Sequence, residues 1–167
     1  MDEYYNSIAS GYDDLYGEEQ LKKLNFIIGK LPSNFFEGVK TILDVGCGTG
    51  ISSDYFAKLG FDVVGVDPSS GLLEQNTFGR CKFVLGSAEE LPFKDNSFDL
   101  VVSFTAIQNF DDLLNGLKEI RRVCKKKFIL TFLKGVSSSE KIDAVIKEIF
   151  DINSFYFDEK ENYYICF

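Results

Sequence analysis

An open α/β fold, built on a doubly wound, mostly parallel seven-stranded sheet with helices on both faces, is what this chain predicts. Three observations point there. Short apolar runs of strand length alternate with stretches of helical periodicity, the pattern of a parallel sheet covered on both sides. The first such run ends in clustered glycines that open into a helical stretch. Residues 154–167 alternate apolar and polar side chains around Asp158-Glu159-Lys160-Glu161-Asn162, which predicts a C-terminal antiparallel hairpin.

The elements follow in order. Residues 18–31 place Leu21, Leu24, Ile28 and Leu31 on one helical face, and Pro32 ends that helix. Residues 40–45 (KTILDV) read as a buried strand that runs into Gly46-Cys47-Gly48-Thr49-Gly50. Ile51, Tyr55, Phe56 and Leu59 then share a helical face, with Gly60 as the natural stop. Residues 61–66 form a second strand ending at Asp67-Pro68, and residues 71–75 a short helix. Residues 81–85 and 98–104 are the third and fourth strands. Phe110, Leu113, Leu114, Leu117 and Ile120 predict a helix over 110–123, residues 127–133 a fifth strand, and Ile142, Val145, Ile146 and Ile149 a helix over 139–150. There is no internal repeat and no Pro/Ser-rich linker, so the 167 residues read as one domain.

Composition narrows the chemistry. Hydrophobic residues make up 45% and charged residues 26% of the chain, which excludes intrinsic disorder. The net charge of −8 argues against a sequence-independent nucleic-acid binder, since phosphates are neutralised by Lys and Arg. The chain has no histidine, which removes Ser-His and Cys-His nucleophile systems and makes zinc or non-haem iron a poor expectation. The four cysteines, Cys47, Cys81, Cys124 and Cys166, form no CxxC pair. The acidic start lacks a signal-peptide h-region, and no apolar run approaches the ~18 residues of a membrane span. The expectation is a cytoplasmic protein with free thiols and no membrane or metal partner.

In open α/β sheets the ligand sits beyond the carboxyl ends of the strands, where strand order reverses. The loops to inspect are therefore 46–50, 67–69, 86–89 and 104–110. Three glycines in five residues exceed the needs of a simple turn and suit close approach of a ligand to the main chain. The position three after Gly48 is Ile51, so a GxGxxG dinucleotide fingerprint is absent. Asp67 lies 67 − 46 = 21 residues after Gly46 at the end of a strand, the place of a carboxylate that takes ribose hydroxyls, or of a cap for the turn at Ser69-Ser70. Asn109 reads equally as a helix cap or as a substrate contact, and Gln108 as a substrate contact.

Ile42–Gly50, Asp67-Pro68, Gly86-Ser87-Ala88-Glu89-Glu90-Leu91-Pro92-Phe93 and the stretch Asp95 to Ser103 occur in an order and spacing that resemble the class I S-adenosylmethionine-dependent methyltransferases. The resemblance is nearest to the small-molecule group that includes the ubiquinone and menaquinone biosynthesis C-methyltransferases. It implies a Rossmann-like fold, with S-adenosylmethionine as cofactor and S-adenosylhomocysteine as product. Gly46, Gly48 and Gly50, with Asp44 and Cys47 beside them, would cradle the methionine and ribose of the cofactor. Asp67 would hold the ribose hydroxyls, Pro68 would line the adenine, and Ser87, Ala88 and Glu89 would take the place of the family's Asp-Ala-Glu stretch, with Ser87 where the family has its Asp. Ser103 and Phe104 would sit by the methionine portion. The resemblance further implies a helical lid over residues 1–38, in which Tyr5 and Tyr12 close the site, on a cofactor-binding core over 39–167.

Other features of the sequence narrow the acceptor. Where the family often has a His pair, this chain has Gln108-Asn109, amides that position but do not deprotonate. No Asn-Pro-Pro-Tyr, Asp-Pro-Pro-Tyr or Pro-Cys motif follows the fourth strand, which disfavours nucleobase methylation. The run Arg121 to Lys127 reads as a solvated helix end and its loop. The expected reaction is in-line methyl transfer to a small, partly apolar acceptor by a monomer or homodimer. A protein or RNA methyltransferase, or a non-catalytic cofactor-binding partner subunit, are the other readings.

Overall fold

The computed structural model describes residues 2–76 and 79–167. Seven strands form one sheet in the order β3-β2-β1-β4-β5-β7-β6, where β1 is Thr41–Val45, β2 Asp62–Asp67, β3 Lys82–Leu85, β4 Phe98–Ser103, β5 Cys124–Leu133, β6 Ser154–Phe157 and β7 Glu161–Cys166. Strands β1 to β5 run parallel, and β7 is antiparallel to both its neighbours. The chain leaves the sheet's centre in one direction through β2 and β3 and in the other through β4 and β5. The order therefore reverses between β1 and β4, which opens a crevice at their carboxyl ends.

Both faces of the central strands are buried, so successive residues serve different cores. Leu43, Val101 and Leu130 point into one cluster, and Ile42, Leu100 and Ile129 into the other. The first cluster is roofed by α5 (Leu113–Val123) and α6 (Ser139–Ile149), through Leu117, Ile120, Ile142 and Ile146. The second is roofed by α2 (Tyr12–Ile28) and α3 (Ile51–Lys58), through Leu24, Ile27 and Phe56. Two short helices, α1 (Asp2–Ile8) and α4 (Ser70–Glu74), pack against each other beside the crevice.

Helix α5 starts only at Leu113, so Phe110 lies ahead of it and Leu114 is turned outward, and four other expectations are corrected. Helix α2 begins at Tyr12 and ends at Ile28, and its buried stripe is Lys23, Leu24 and Ile27, so Leu21 is turned out to 43% exposure. The early end reflects Pro32, which disfavours helical backbone at Leu31 before it. Leu59 lies past the end of α3 and is exposed, while Gly60 takes the left-handed conformation (φ +98°) expected of a stop. The basic run has no loop, because α5 passes directly into β5 at Cys124. Its charges are pinned: Lys125 bonds Asp99 at 2.7 Å, Lys127 donates to the Phe35 and Glu37 carbonyls at 2.6 and 2.8 Å, and Arg122 forks onto Glu119 and Asp95. Glu161 and Asn162, placed at the centre of the hairpin by the sequence, already belong to β7, and Glu161 is fully buried. Among the described residues no helix is long and apolar enough to cross a membrane, and all four cysteines are free.

Candidate functional site

The carboxyl ends of β1, β2, β3 and β4 surround a cavity of about 810 Å³ including its open mouth. The glycine turn after β1 forms its floor. Gly46 has φ +74°, and a Cβ there would stand 2.3 Å from the Ala106 Cβ, so only glycine lets the loop after β4 press onto the turn. Gly48 faces the cavity itself, where a Cβ would meet nothing nearer than Leu72 at 3.8 Å and Tyr12 at 4.0 Å. Gly50 is not on the cavity wall; it caps α3, and a Cβ there would strike the Asn76 amide at 2.2 Å and the Phe83 ring at 2.8 Å.

Asp67 is buried on the cavity wall at the end of β2. One carboxylate oxygen accepts the Gly48 N–H at 2.8 Å and the other the Ser69 N–H at 2.9 Å. Ser69, not Asp67, is the cap of α4, accepting the Leu72 N–H at 3.2 Å. The carboxylate thus ties the glycine turn to the entry of α4, with Pro68, Ser87, Ala88 and Glu89 beside it on the wall. Glu89 also accepts the Asp112 N–H at 3.3 Å.

Asp44 is wholly buried behind the turn and does not line the cavity. One of its oxygens accepts the Ser52 and Ser53 hydroxyls at 2.6 and 2.7 Å, which anchors the first turn of α3, and the other has no partner. Burial pushes its carboxyl up to about 6, against the lowering pull of those hydroxyls. Cys47 packs its sulfur where a Cβ on Gly65 would be 2.7 Å away. Burial, and then the carboxylates of Asp44 and Asp67, raise its thiol well above the ordinary value, so it is no nucleophile at neutral pH. Ser103 is buried behind the wall with its hydroxyl unpartnered. Phe104 follows it, lines the cavity and stacks on Phe56 at 6.3 Å.

The N-terminal segment supplies part of the cavity's lining. Tyr5 and Tyr12 line the cavity, edge to face at 6.3 Å, and burial raises the pKa of both phenols. Asn6 accepts the Ser69 hydroxyl at 2.7 Å and the Gly71 N–H at 2.8 Å, while Asp13 accepts the Thr49 hydroxyl at 2.5 Å. Asn109 donates to the Tyr5 hydroxyl at 2.9 Å. It is no cap: α5 is capped by Asp112, which accepts the Asn115 N–H at 3.1 Å. Gln108 departs from expectation. It is not on the cavity wall, and its amide donates to the Thr105 carbonyl at 2.6 Å.

Sequence reasoning missed Asn6, Asp13, Lys23, Thr105 and Glu161. Asn6 and Asp13 lie in a polar stretch where no spacing distinguishes them from surface residues. Lys23 and Glu161 sit among other charges and read as solvent-facing, although both are buried. Among the described residues no group of three or more His, Cys, Asp or Glu is placed to hold a metal ion.

A sheet of this order, with a glycine turn after β1 and a carboxylate at the end of β2 on the rim of one cavity, is a Rossmann-like doubly wound fold with its cavity at the switch point. A family model described as a methyltransferase domain matches residues 43–132, more than half of the chain. The chain belongs to this family, the class I S-adenosylmethionine-dependent methyltransferases. It is 33% identical over 151 residues to the uncharacterised protein MJ1252 of Methanocaldococcus jannaschii, covering 88% of this chain and 55% of that protein. It is 39% identical over 118 residues to the demethylmenaquinone methyltransferase of Corynebacterium kroppenstedtii, covering 71% of this chain and 47% of that enzyme. The chain thus spans about half the length of these relatives. The crystal structure of the PH0226 protein from Pyrococcus horikoshii superposes with a TM-score of 0.81 at 21% identity over 99% of this chain and 98% of that one, which attests the fold.

Proposed function

We propose that this chain binds S-adenosylmethionine in the crevice and transfers its methyl group to a small, partly apolar acceptor. The observation that carries the reading is Asp67: a buried carboxylate at the end of β2, on the cavity wall, bonded to the backbone of the glycine turn. That position suits the two hydroxyls of a ribose, and Gly48, bare of a side chain on the cavity wall, suits a ligand lying against the main chain. In this reading Gly46 and Gly48 form the floor, Pro68, Ser87, Ala88 and Glu89 the adenine side, and Phe104 with Tyr12 the methionine side. Asp44, Cys47, Gly50 and Ser103 support these residues from behind.

When bound, S-adenosylmethionine supplies an electrophilic methyl group on a sulfonium sulfur. The chain's own task is alignment and exclusion of water, and alignment alone is worth ~7–11 kcal/mol. Phe104 and Phe110 give the acceptor side apolar walls, and Asn109 with Tyr5 gives it a polar handle. The phenols of Tyr5 and Tyr12, held protonated by burial, serve as hydrogen-bond donors and not as bases. The segment ahead of residue 39 acts as the lid, latched through Asn6 and Asp13. The menaquinone-type relatives support a small acceptor, and the net charge of −8 counts against RNA.

Isothermal titration calorimetry with S-adenosylmethionine and S-adenosylhomocysteine tests this. Saturable binding of both is expected, and binding of NAD in their place overturns the assignment. In Asp67→Ala, affinity should fall about ten- to a hundredfold, the loss of ~1.5–3 kcal/mol for hydrogen bonds to a charged group. An unchanged dissociation constant in the folded variant removes Asp67 from the ribose. Radiolabelled cofactor incubated with fractionated extract should label small molecules; label confined to protein or RNA overturns the acceptor class.

A further inference from the structure

The loop after β4 carries a residue in a conformation its side chain disfavours. Thr105 has φ +55°, which is strained for a β-branched residue. Every polar group of Thr105 is nonetheless bonded to a side chain, and all but its carbonyl to one from outside the loop. Its N–H donates to the Thr131 hydroxyl of β5 at 2.9 Å, and its carbonyl accepts from the Gln108 amide at 2.6 Å. Its hydroxyl donates to a Glu161 carboxylate oxygen of β7 at 2.6 Å and accepts from the Lys23 ammonium of α2 at 3.2 Å. Lys23 and Glu161 are themselves ion-paired, with side chains 8% and 0% exposed. Glu19, one turn earlier on α2, stands 3.5 Å from the same ammonium.

The neighbours of Thr105 show what this arrangement controls. Phe104, Thr105 and Ala106 all line the ligand cavity, and Ala106 packs onto Gly46 where no larger residue fits. A shift of this loop would move the cavity wall and the glycine turn's cover together. A buried ion pair is a costly way to stabilise a fold, since apolar residues of similar volume do as well or better, whereas a fixed geometry is a use for which such groups suit.

We infer that Lys23, Glu161 and Thr105 are positioning residues that hold the loop after β4 against the glycine turn and so set the shape of the ligand cavity. The affinity part of this inference rests on the proposed cofactor reading; the geometric part does not. Lys23 and Glu161 supply a fixed charge pair from two elements, and the Thr105 hydroxyl is the point at which both grip the loop. Thr105→Ser keeps that grip, and Thr105→Val removes it at nearly constant volume.

The test compares the whole chain with Glu161→Gln, Lys23→Arg, Thr105→Val and Thr105→Ser, each confirmed folded by circular dichroism. Two quantities are read: amide hydrogen exchange of the peptide spanning residues 104–110, and the dissociation constant for S-adenosylhomocysteine. Glu161→Gln and Thr105→Val are expected to speed exchange in that peptide at least tenfold, leave β1 and β2 amides unchanged, and weaken the ligand about five- to twentyfold. Lys23→Arg and Thr105→Ser should track the parent. Exchange that rises evenly across the sheet, a 104–110 peptide that does not respond, or Thr105→Ser behaving like Thr105→Val overturns the inference. Should Glu161→Gln not fold, the Thr105 pair decides. If the parent chain itself fails to bind S-adenosylhomocysteine, the cofactor reading falls, and the exchange measurements still settle whether the loop is held as inferred.

Discussion

At the amino ends of the strands, Asp99 of β4 accepts the Lys40 and Thr41 N–H groups at 2.9 and 3.0 Å, the Thr41 hydroxyl at 3.0 Å and the Lys125 ammonium at 2.7 Å. At the carboxyl ends, Asp44 of β1 leaves one buried oxygen with no partner. The two carboxylates respond accordingly. Burial raises both, but around Asp99 the Lys125 ammonium and the backbone donors outweigh it and hold the carboxyl well below its ordinary range, while Asp44 rises to about 6. The contrast extends beyond this pair. Among the described residues the buried side-chain atoms without a partner belong to Asp44, Ser103, Gln108 and Glu161. All four lie at the carboxyl ends of β1, β4 and β5, beside the cavity. The unpartnered buried atoms thus gather at the end of the sheet that holds the cavity, while the carboxylate at the opposite end is fully bonded.

The largest effect should come from the satisfied end. Asp99→Ala strips four donors of their acceptor and is expected to lower the unfolding free energy by on the order of 4 kcal/mol in urea titrations. The dissociation constant for S-adenosylhomocysteine should not move. A parallel loss of affinity would mean that the two ends are not separable.

At the other end the sign of the pH dependence reverses. The folded state holds the Asp44 proton more tightly than the unfolded chain, so the stability this provides is complete below pH 3.8 and is lost as pH rises through about 6. At 1.36 kcal/mol per pH unit, the loss is roughly 3 kcal/mol. Asp44→Asn should remove that fall when urea unfolding is followed from pH 4 to 7. A decline of equal size in the variant assigns it to other groups. The smallest effect concerns the hydrogen bond between Asn109 and Tyr5. Tyr5→Phe and Asn109→Ala, measured singly and together by calorimetry, should each weaken S-adenosylhomocysteine about two- to fivefold, with a coupling of roughly 1 kcal/mol or less. Strict additivity would show that their hydrogen bond makes no contribution to binding.

The same contrast explains what was legible in the sequence. The order of elements, the glycine turn, Asp67 and the C-terminal hairpin were readable because each rests on local rules: periodicity of buried side chains, backbone freedom at glycine, and strand-end position. Helix α2 was misplaced because Lys23 occupies a buried position that its type marks as exposed, and Leu21 the reverse. Gln108 and Asn109, adjacent in sequence, took opposite fates that only the 3₁₀ turn over Ile107–Asn109 decides. Thr105 and Glu161 acquire meaning solely from one another and from Lys23, and no spacing rule links residues so far apart.

The insertion of β7 between β5 and β6 also bears on how the chain reaches this structure. Strand β6 has no partner until the later strand has docked, and Lys23 meets Glu161 only across 161 − 23 = 138 residues of chain. Contacts of that separation are costly to close, because the loop-closure entropy must be overcome before they contribute. Within the sheet itself the longest closure is not the hairpin: β7 meets β5 across 161 − 133 = 28 residues at Leu133 and Glu161, whereas β4 meets β1 across 100 − 42 = 58 at Ile42 and Leu100. The hold on Thr105 therefore joins α2 to β7, elements far apart in the chain, directly beside the cavity wall.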